Sequence, residues 1–246
     1  LAILQSMINL YDLLKAANGQ LFGQPAAHLF KDFSLDPDAI GDAVMYVALR
    51  SGQGDIQNAI ARAIRNGASG VLCSEPPTAD TDGVTVLMAR DPQKALLDWA
   101  GHMLKRLGIK VVAVAGTAGR ATTLAAVTQV LGRRYTVFPT YPHANGKLAL
   151  VLTLPKLRPG YQFIVMDFSS TRPGEMTQLT QAFEPEVALI TQVHCNQPLA
   201  FDSCDQYIQE QATLTARPTD TLTILNHNND YSIGLRTQAQ TRIQTI

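Results

Sequence analysis

Short runs of apolar residues recur along the chain, and most are followed by stretches in which apolar residues return every three or four positions. A short apolar run is typical of a strand buried on both faces, and the longer spacing is typical of an amphipathic helix. Before residue 108, this pattern predicts strands at Val44–Leu49, Gly70–Cys73 and Val84–Met88. Around them it predicts helices at Ile8–Ala17, Asp55–Asn66 and Asp91–Leu107.

A second series of strands and helices begins at Gly108. Its strands are predicted at the run that starts with Val111 and at Tyr135–Phe138, Phe163–Phe168, Val187–Thr191 and Leu222–Asn226. Its helices are predicted after the first strand, to about Leu131, and at Glu175–Phe183 and Ser203–Leu214. Alternating strands and helices indicate an α/β fold. We therefore expect a small α/β domain at residues 1–107 and a mainly parallel sheet flanked by helices at residues 108–246.

Composition and charge exclude several classes of protein. Of the 246 residues, 46% are hydrophobic and 16% are charged, which is typical of a globular protein and not of a disordered one. Because 20 basic residues balance 20 acidic residues, no strong net field attracts nucleic acid or an anionic membrane. No apolar run approaches the roughly 18 residues that a membrane-spanning helix needs. The 3 cysteines favour a reducing compartment over a disulfide framework, so we expect a cytoplasmic protein.

The segment VVAVAGTAGRATT, at residues 111–123, has the pattern of a phosphate-binding loop. A strand, a glycine turn and a helix start leave backbone N–H groups unpaired at the first turn of the helix, where they can bind an anion. A working loop of this kind has Lys after its last glycine and then Ser or Thr, which contact the phosphates and Mg²⁺. Here those positions hold Arg120 and Ala121, and Ala121 has no oxygen to bind a metal. The candidate binding residues are Gly116, Thr117, Ala118, Gly119, Arg120, Ala121 and Thr122.

Other candidate residues follow the predicted strands, at the edge where ligands bind in open α/β sheets. Asp167 follows the core of one strand, so Arg120 either forms an ion pair with Asp167 or contacts a ligand. The glycines of the loop either bind a phosphate or simply make the turn that the fold requires. The spacing of His194, Cys195 and Cys204 matches no common zinc motif, and we predict no metal site.

Several segments together resemble the Mur ligases, most closely the branch that adds D-alanyl-D-alanine to a UDP-muramoyl peptide. These segments are AGTAGRATT, ANGKLAL at Ala144–Leu150, MDFSS, GEM at Gly174–Met176, ITQV and ILNHNN. The resemblance implies a UDP-substrate-binding N-terminal domain and an ATP-binding central domain. It covers nearly the whole chain, and the family's C-terminal domain is expected to be absent.

The resemblance also implies that many catalytic groups of the family are replaced. It places the family's phosphate-loop lysine at Arg120, its Mg²⁺-binding hydroxyl at Ala121 and its metal-binding glutamate at Asp167. The family's paired asparagines fall at His143 and Asn145, so Asn145 joins the candidate nucleotide-binding residues. Further departures fall at about Gln197 for a histidine, at about Ala212 for a carbamylated lysine, and at Asn228 and Asn229 for aspartates. Asp36-Pro37-Asp38 stands where the family has Asp-Ser-Arg for the uridine nucleotide, so UDP-sugar binding is not expected.

These departures lead to the hypothesis of a pseudoenzyme that acts as a binding or structural subunit, with a protein partner or a second copy of itself. We assign no catalytic residue and no metal ligand. No cofactor is required, and the loop would bind ATP or ADP without Mg²⁺ if it binds a nucleotide at all. The alternative is a surviving ATP-dependent ligase that forms an amide bond in peptidoglycan precursor synthesis.

Overall fold

The computed structural model describes residues 8–49, 55–140, 146–194, 200–216 and 221–246. The chain divides into two compact units. The first comprises Leu1–His102 with Val151–Pro159, and the second comprises Met103–Leu150 with Gly160–Ile246. Within the described ranges, no helix is both long and apolar enough to cross a membrane.

The first unit contains a five-stranded sheet in the order β2-β7-β6-β5-β4, in which β4 to β7 are parallel and β2 is antiparallel to β7. A separate antiparallel pair joins β1 and β3. The strands are β1 (Ile8–Asn9), β2 (Gln20–Phe22), β3 (Leu29–Phe30), β4 (Asp32–Ser34), β5 (Val44–Val47), β6 (Gly70–Cys73) and β7 (Thr85–Met88). The helices are α1 (Leu10–Ala17), α2 (Ile56–Arg65) and α3 (Pro92–Arg106), and α3 continues into the second unit.

The three helices predicted in this region are confirmed, and side chains at their starts explain their bounds. Asn9 caps α1 by accepting from the N–H groups of Tyr11 and Asp12, and Asp55 caps α2 in the same way. Asp91 accepts from the Lys94 N–H at 3.0 Å, and Pro92 occupies the first position of α3, where its missing N–H costs little. The short strands β1 to β4 were not predicted, because runs of two or three residues show too little periodicity.

The core of the first unit contains Trp99 and the thiol of Cys73. Trp99 is 1% exposed and packs edge-on against Phe33, with ring centroids 5.1 Å apart, which confirms its predicted place in the core. Burial raises the pKa of the Cys73 thiol to about 11.

We predict that native Cys73 reacts very slowly with a thiol reagent. At pH 8 a pKa of about 11 in place of 9.0 leaves about 100-fold less thiolate, and burial blocks access as well. Because this raised pKa disfavours the thiolate in the folded state, the thiol's contribution to stability is complete below pH 9 and is lost as the pH rises towards 11. Iodoacetamide labelling followed by peptide mass spectrometry should show at least about 100-fold slower modification in the native protein than in guanidinium. Equal rates would contradict the placement of this thiol.

The second unit contains a six-stranded parallel sheet, in the order β13-β12-β11-β8-β10-β9. This confirms the predicted parallel α/β architecture. The strands are β8 (Lys110–Ala115), β9 (Val137–Phe138), β10 (Phe163–Asp167), β11 (Val187–Ile190), β12 (Leu222–Leu225) and β13 (Arg242–Thr245). The helices that begin in this unit are α4 (Arg120–Gly132), α5 (Gly146–Thr153), α6 (Glu175–Phe183), α7 (Cys204–Ala212) and α8 (Asp230–Gly234), with a 3₁₀ turn at Leu235–Gln238. The last residues of α5 and a 3₁₀ turn at Leu154–Lys156 belong to the Val151–Pro159 segment of the first unit.

The strand order of the second unit places β8 at its centre. From β8 the chain builds β10 and β9 on one side, and β11, β12 and β13 on the other. Ligands bind in such sheets in the crevice where the strand order reverses, outside the carboxyl ends of the strands. The loop after β8 lies at this point.

The cysteines were expected to remain reduced, and this is wrong for Cys204, which is disulfide-bonded, whereas Cys73 is a free thiol. The number of cysteines in a sequence does not show which thiols the fold brings within bonding distance. Cys195 lies outside the described residues.

Candidate functional site

The loop after β8 has the predicted strand, glycine turn and helix start. Gly116 and Gly119 have φ angles of 120° and 81°, which L-residues rarely adopt, and α4 begins at Arg120. At Gly116 a Cβ atom would lie 2.4 Å from the Thr191 hydroxyl oxygen and 2.7 Å from the Gln192 carbonyl oxygen. Glycine is therefore required at residue 116 both by the backbone conformation and by the close approach of the two residues that follow β11.

Hydrogen bonds tie this loop to the end of β11. The Thr117 N–H donates to the Gln192 carbonyl at 2.6 Å, and the Thr191 hydroxyl donates to the Ala118 carbonyl at 2.6 Å. The Thr117 hydroxyl accepts from the His194 N–H at 3.0 Å. The Thr117 N–H, which could have bound a phosphate, is thus used within the protein.

The first turn of α4 is accessible to solvent, whereas the Thr117 N–H is already hydrogen-bonded. Gly119 is its N-cap residue and has no side chain that could accept a hydrogen bond from the start of the helix. Ala121 and Thr122 are exposed. The first N–H groups of a helix have no intrahelical partner, and together with the helix dipole they favour an anion at this end of the 13-residue helix.

Arg120 folds back over the loop and pairs with Asp167. Its Nε donates to Asp167 Oδ1 at 2.8 Å, and its Nη1 donates to the Gly116 carbonyl. Asp167 reaches this place because β10 pairs with β8 and sets Asp167 opposite Val114. The side chains of Arg120 and Asp167 are 27% and 31% exposed. The predicted ion pair between Arg120 and Asp167 is present, and contact of Arg120 with a ligand stays a prediction.

A set of polar residues on α7 lies close to this ion pair. Burial raises the pKa of the Tyr207 hydroxyl, the positive charge of Arg120 lowers it, and the carboxylates of Asp167 and Glu210 raise it further. The buried carboxylate of Glu210 accepts from the N–H groups of Gly174 at 2.9 Å and Met176 at 2.6 Å. Sequence reasoning missed Tyr207 and Glu210, because no local motif indicates that α7 packs against the start of α6.

The remaining residues implied by the resemblance fall in several places. Asn229 caps α8 by accepting from the Ser232 N–H at 2.9 Å, and it also accepts from the Val193 N–H at 3.1 Å. Ala212 is buried at the end of α7. Asn145, His143 and Gln197 lie outside the described residues, so the assignment of Asn145 stays a prediction.

In the first unit, the Asp38 carboxylate has two side-chain partners on or next to α2. Its carboxylate pairs with the guanidinium of Arg62, and it also accepts from the Asn66 side-chain amide at 3.4 Å. The Asn66 amide donates to the Pro37 carbonyl at 2.9 Å as well. The loop that holds Asp36-Pro37-Asp38 is therefore fastened to α2.

A cavity of about 460 Å³ lies beside the loop after β8. Its walls come from Ala118 and Gly119 of the loop and from the carboxyl ends of β11 and β12. The lining is mainly apolar, with polar groups from Thr191, Gln192 and Asn226. A volume of a few hundred Å³ with a few polar groups is typical of a small-molecule site.

Comparison with known families identifies the family to which this sheet and loop belong. The model of the Mur ligase middle domain matches residues 114–246, which include the end of β8, the loop and the rest of the second unit. The chain belongs to the Mur ligase family. The expected parallel fold and the resemblance are thereby confirmed.

Individual Mur ligases are distant in sequence but close in fold. The chain is 23% identical over 226 residues to UDP-N-acetylmuramoyl-tripeptide–D-alanyl-D-alanine ligase of Escherichia coli (strain K12), covering 91% of this chain and 49% of that protein. MurF from Acinetobacter baumannii superposes with a TM-score of 0.83 at 20% identity, covering 97% of this chain and 52% of the other. MurF ligase from Thermotoga maritima in complex with ADP has a TM-score of 0.76 at 20% identity, with coverages of 87% and 49%. The chain thus spans about half the length of these Mur ligases.

Proposed function

We propose that this member of the Mur ligase family does not catalyse ATP-dependent ligation and serves as a binding or structural subunit. The observation that carries the proposal is the contact between Arg120 and Asp167. The resemblance implies that the residue at position 120 neutralises nucleotide phosphates and that the residue at position 167 binds the metal. Here the two charges neutralise each other at 2.8 Å.

This ion pair opposes the binding of a nucleotide with its metal. A triphosphate that took the Arg120 guanidinium would leave the Asp167 carboxylate close to the phosphates without a counter-charge. Phosphoryl transfer depends on groups that stabilise the developing charge, and the loss of one such group typically costs about 100- to 1,000-fold in rate. The residues at positions 120 and 167 therefore both disfavour ATP turnover.

The residues present do not fit Mg²⁺. Ala121 has no oxygen, and one Asp167 oxygen already accepts from Arg120. Within the described ranges, no group of three or more His, Cys, Asp or Glu residues could hold a metal ion. Mg²⁺ prefers several oxygen ligands in octahedral geometry, which a single engaged carboxylate does not supply.

The subunit part of the proposal is supported by the surface of α4. Residues 121–132 include no charged side chain, and Val130 is 71% exposed. Surface helices normally carry polar residues on the side that faces water. Light scattering of the purified chain tests whether the partner is a second copy. A dimer would have twice the mass of one chain, whereas the mass of a single chain would mean that the partner is a different protein.

ATP hydrolysis tests the catalytic part. We expect the purified chain to release no phosphate from ATP above background, with Mg²⁺, UDP-N-acetylmuramoyl-tripeptide and D-alanyl-D-alanine present. The E. coli relative assayed in parallel shows that the substrates are competent. Mg²⁺-dependent phosphate release that disappears in Asp167→Asn would contradict the proposal, since it would require Asp167 to take part in the reaction.

A second candidate is a regulator that binds ATP or ADP without a metal. It is favoured by the open first turn of α4 beside the cavity of about 460 Å³. The helix N-terminus would hold a phosphate, and the mainly apolar cavity would accept the rest of the nucleotide. This candidate predicts nucleotide binding that is indifferent to Mg²⁺.

A further inference from the structure

One face of the six-stranded sheet is incompletely covered at β11 and β12. Four apolar side chains of this face are only partly buried, namely those of Val187, Leu189, Leu222 and Ile224, whereas the residues that alternate with them are buried. Val187 and Leu189 pack against the cluster that contains Leu124 of α4, and the register of β12 places Leu222 and Ile224 beside them. We call this surface, with the same side of β13, the open face. Parallel sheets are normally covered on both faces, so an apolar surface of this kind is expected to bind a further layer.

The connections between the strands explain why this face is open. Helices α6, α7 and α8 each follow a strand and lead towards the β13 edge, whereas α4 leads in the opposite direction, from β8 to β9. Because connections between parallel strands are right-handed, α4 packs on one face of the sheet and α6, α7 and α8 pack on the other. These connections therefore place no helix of the described ranges over β11, β12 and β13 on the α4 side.

The outer face of α4 matches the open face in chemistry and in size. It consists of exposed residues without a charge, which are Ala121, Thr122, Ala125, Ala126, Gln129 and Val130. The 13 residues of α4 make a helix about 20 Å long and about 10 Å wide. Three neighbouring strands, spaced about 5 Å apart, present a surface about 10 Å wide. A helix such as α4 therefore fits the open face.

The open face and α4 lie side by side on the same side of the sheet. Leu189 and Ile224 of the open face line the cavity of about 460 Å³ together with Thr123 of α4. A two-fold axis parallel to the strands, passing between α4 and the open face, would bring each of these surfaces of one copy over the other surface of a second copy. One molecule thus carries both halves of an isologous contact, in which each subunit gives a helix and receives one.

We propose that two copies of this chain associate in this way, with the outer face of α4 of each copy packed on the open face of the other. The two α4 helices then lie parallel, as one layer between two sheets. Arg133 and Arg134 after α4, and Arg242 at the start of β13, are exposed and lie at the rim of the contact, where charges stay in water. This inference rests on the subunit part of the proposed function and commits it to a second copy.

The first test is sedimentation equilibrium of the whole chain and of two variants. Two helix-on-sheet contacts make a small interface, so we expect a dimer with a dissociation constant of about 1 to 100 µM. Ala126→Glu places a charge on the outer face of α4 and should raise that constant at least about tenfold, because the carboxylate would be buried against apolar side chains. Gln181→Glu adds the same charge at an exposed position of α6, on the other face of the sheet, and should leave the constant unchanged. Because Ala126 is exposed, thermal unfolding should show that both variants fold.

The second test is a photo-crosslink that reports the arrangement. With p-benzoylphenylalanine in place of Val130, a mixture of unlabelled and ¹⁵N-labelled chains should give mixed-isotope crosslinks from residue 130 to the β11 or β12 peptide of the other copy. The inference is overturned if the chain stays monomeric up to about 200 µM, if the two glutamate variants have the same effect, or if the crosslinks between copies join α4 to α6, α7 or α8. A monomer would leave the proposed subunit role to a different protein, whereas the proposed loss of catalysis is tested separately by ATP hydrolysis.

Discussion

Replacing Gly116 by Ala is expected to destabilise the protein by at least about 3 kcal/mol, since it combines backbone strain with overpacking. The φ angle of 120° disfavours any residue with a Cβ atom. The new methyl group would also lie 2.4 Å from the Thr191 hydroxyl oxygen and 2.7 Å from the Gln192 carbonyl oxygen. The carbonyl belongs to the backbone that holds Thr117, so it cannot move without breaking the contact between the loop and β11.

Gly119→Ala is the matched control, measured in the same urea unfolding experiment. Gly119 also has a positive φ, of 81°, but the nearest atom to its added Cβ would be Thr191 Cβ at 3.9 Å. We expect a loss of only about 1 to 2 kcal/mol, from the backbone conformation alone. Equal losses in the two variants would show that contact with β11 does not determine the cost at Gly116.

Glu210→Ala is expected to lower the free energy of unfolding by about 2 to 4 kcal/mol, because buried donors lose a charged acceptor. Glu210 is 8% exposed, and its carboxylate accepts from the N–H groups of Gly174 and Met176 at the start of α6. Its negative charge also stabilises the helix dipole at that end. In the variant, the Met176 N–H stays buried and loses its acceptor.

Glu175→Ala provides the comparison for Glu210, because it lies at the same helix start but on the exposed side. Its carboxylate accepts from the N–H groups of Thr171 at 2.7 Å and Arg172 at 3.2 Å, where water can replace it. We expect a loss of about 1 kcal/mol or less by urea unfolding. If Glu210→Ala falls within about 0.5 kcal/mol of the wild type, the role assigned to this buried acid is wrong.

The parts of the site that were predictable from sequence are those set by local order. The loop after β8 was predicted because a strand, two glycines and a helix start follow one another within a short segment. The contact between Arg120 and Asp167 was one of two predicted alternatives, because parallel neighbouring strands bring their carboxyl ends together. The sequence could not choose between the alternatives, since a guanidinium fits a phosphate as well as a carboxylate.

Long-range contacts explain most of what was missed. The Thr117 N–H bonds to the carbonyl of Gln192, 75 residues further along the chain, and no local pattern indicates this pairing. Glu210 caps a helix that starts 35 residues earlier, whereas a capping motif in sequence has its acid within one helical turn. Helix α5 was missed because GKLALVLT is nearly all apolar and shows no helical periodicity.

The central claim is that the ion pair between Arg120 and Asp167, together with the missing hydroxyl at position 121, closes the metal-dependent nucleotide site. Thermal unfolding with millimolar ATP, with and without Mg²⁺, tests it most directly in the wild type, in Arg120→Ala and in the double variant Arg120→Lys/Ala121→Thr. We predict no Mg²⁺-dependent stabilisation of the wild type or of Arg120→Ala, because neither has a hydroxyl at position 121 to join Asp167. The double variant should gain a shift of a few degrees, as expected for a ligand at about 100 times its dissociation constant. A Mg²⁺-dependent shift in the wild type that Arg120→Ala abolishes would contradict the claim.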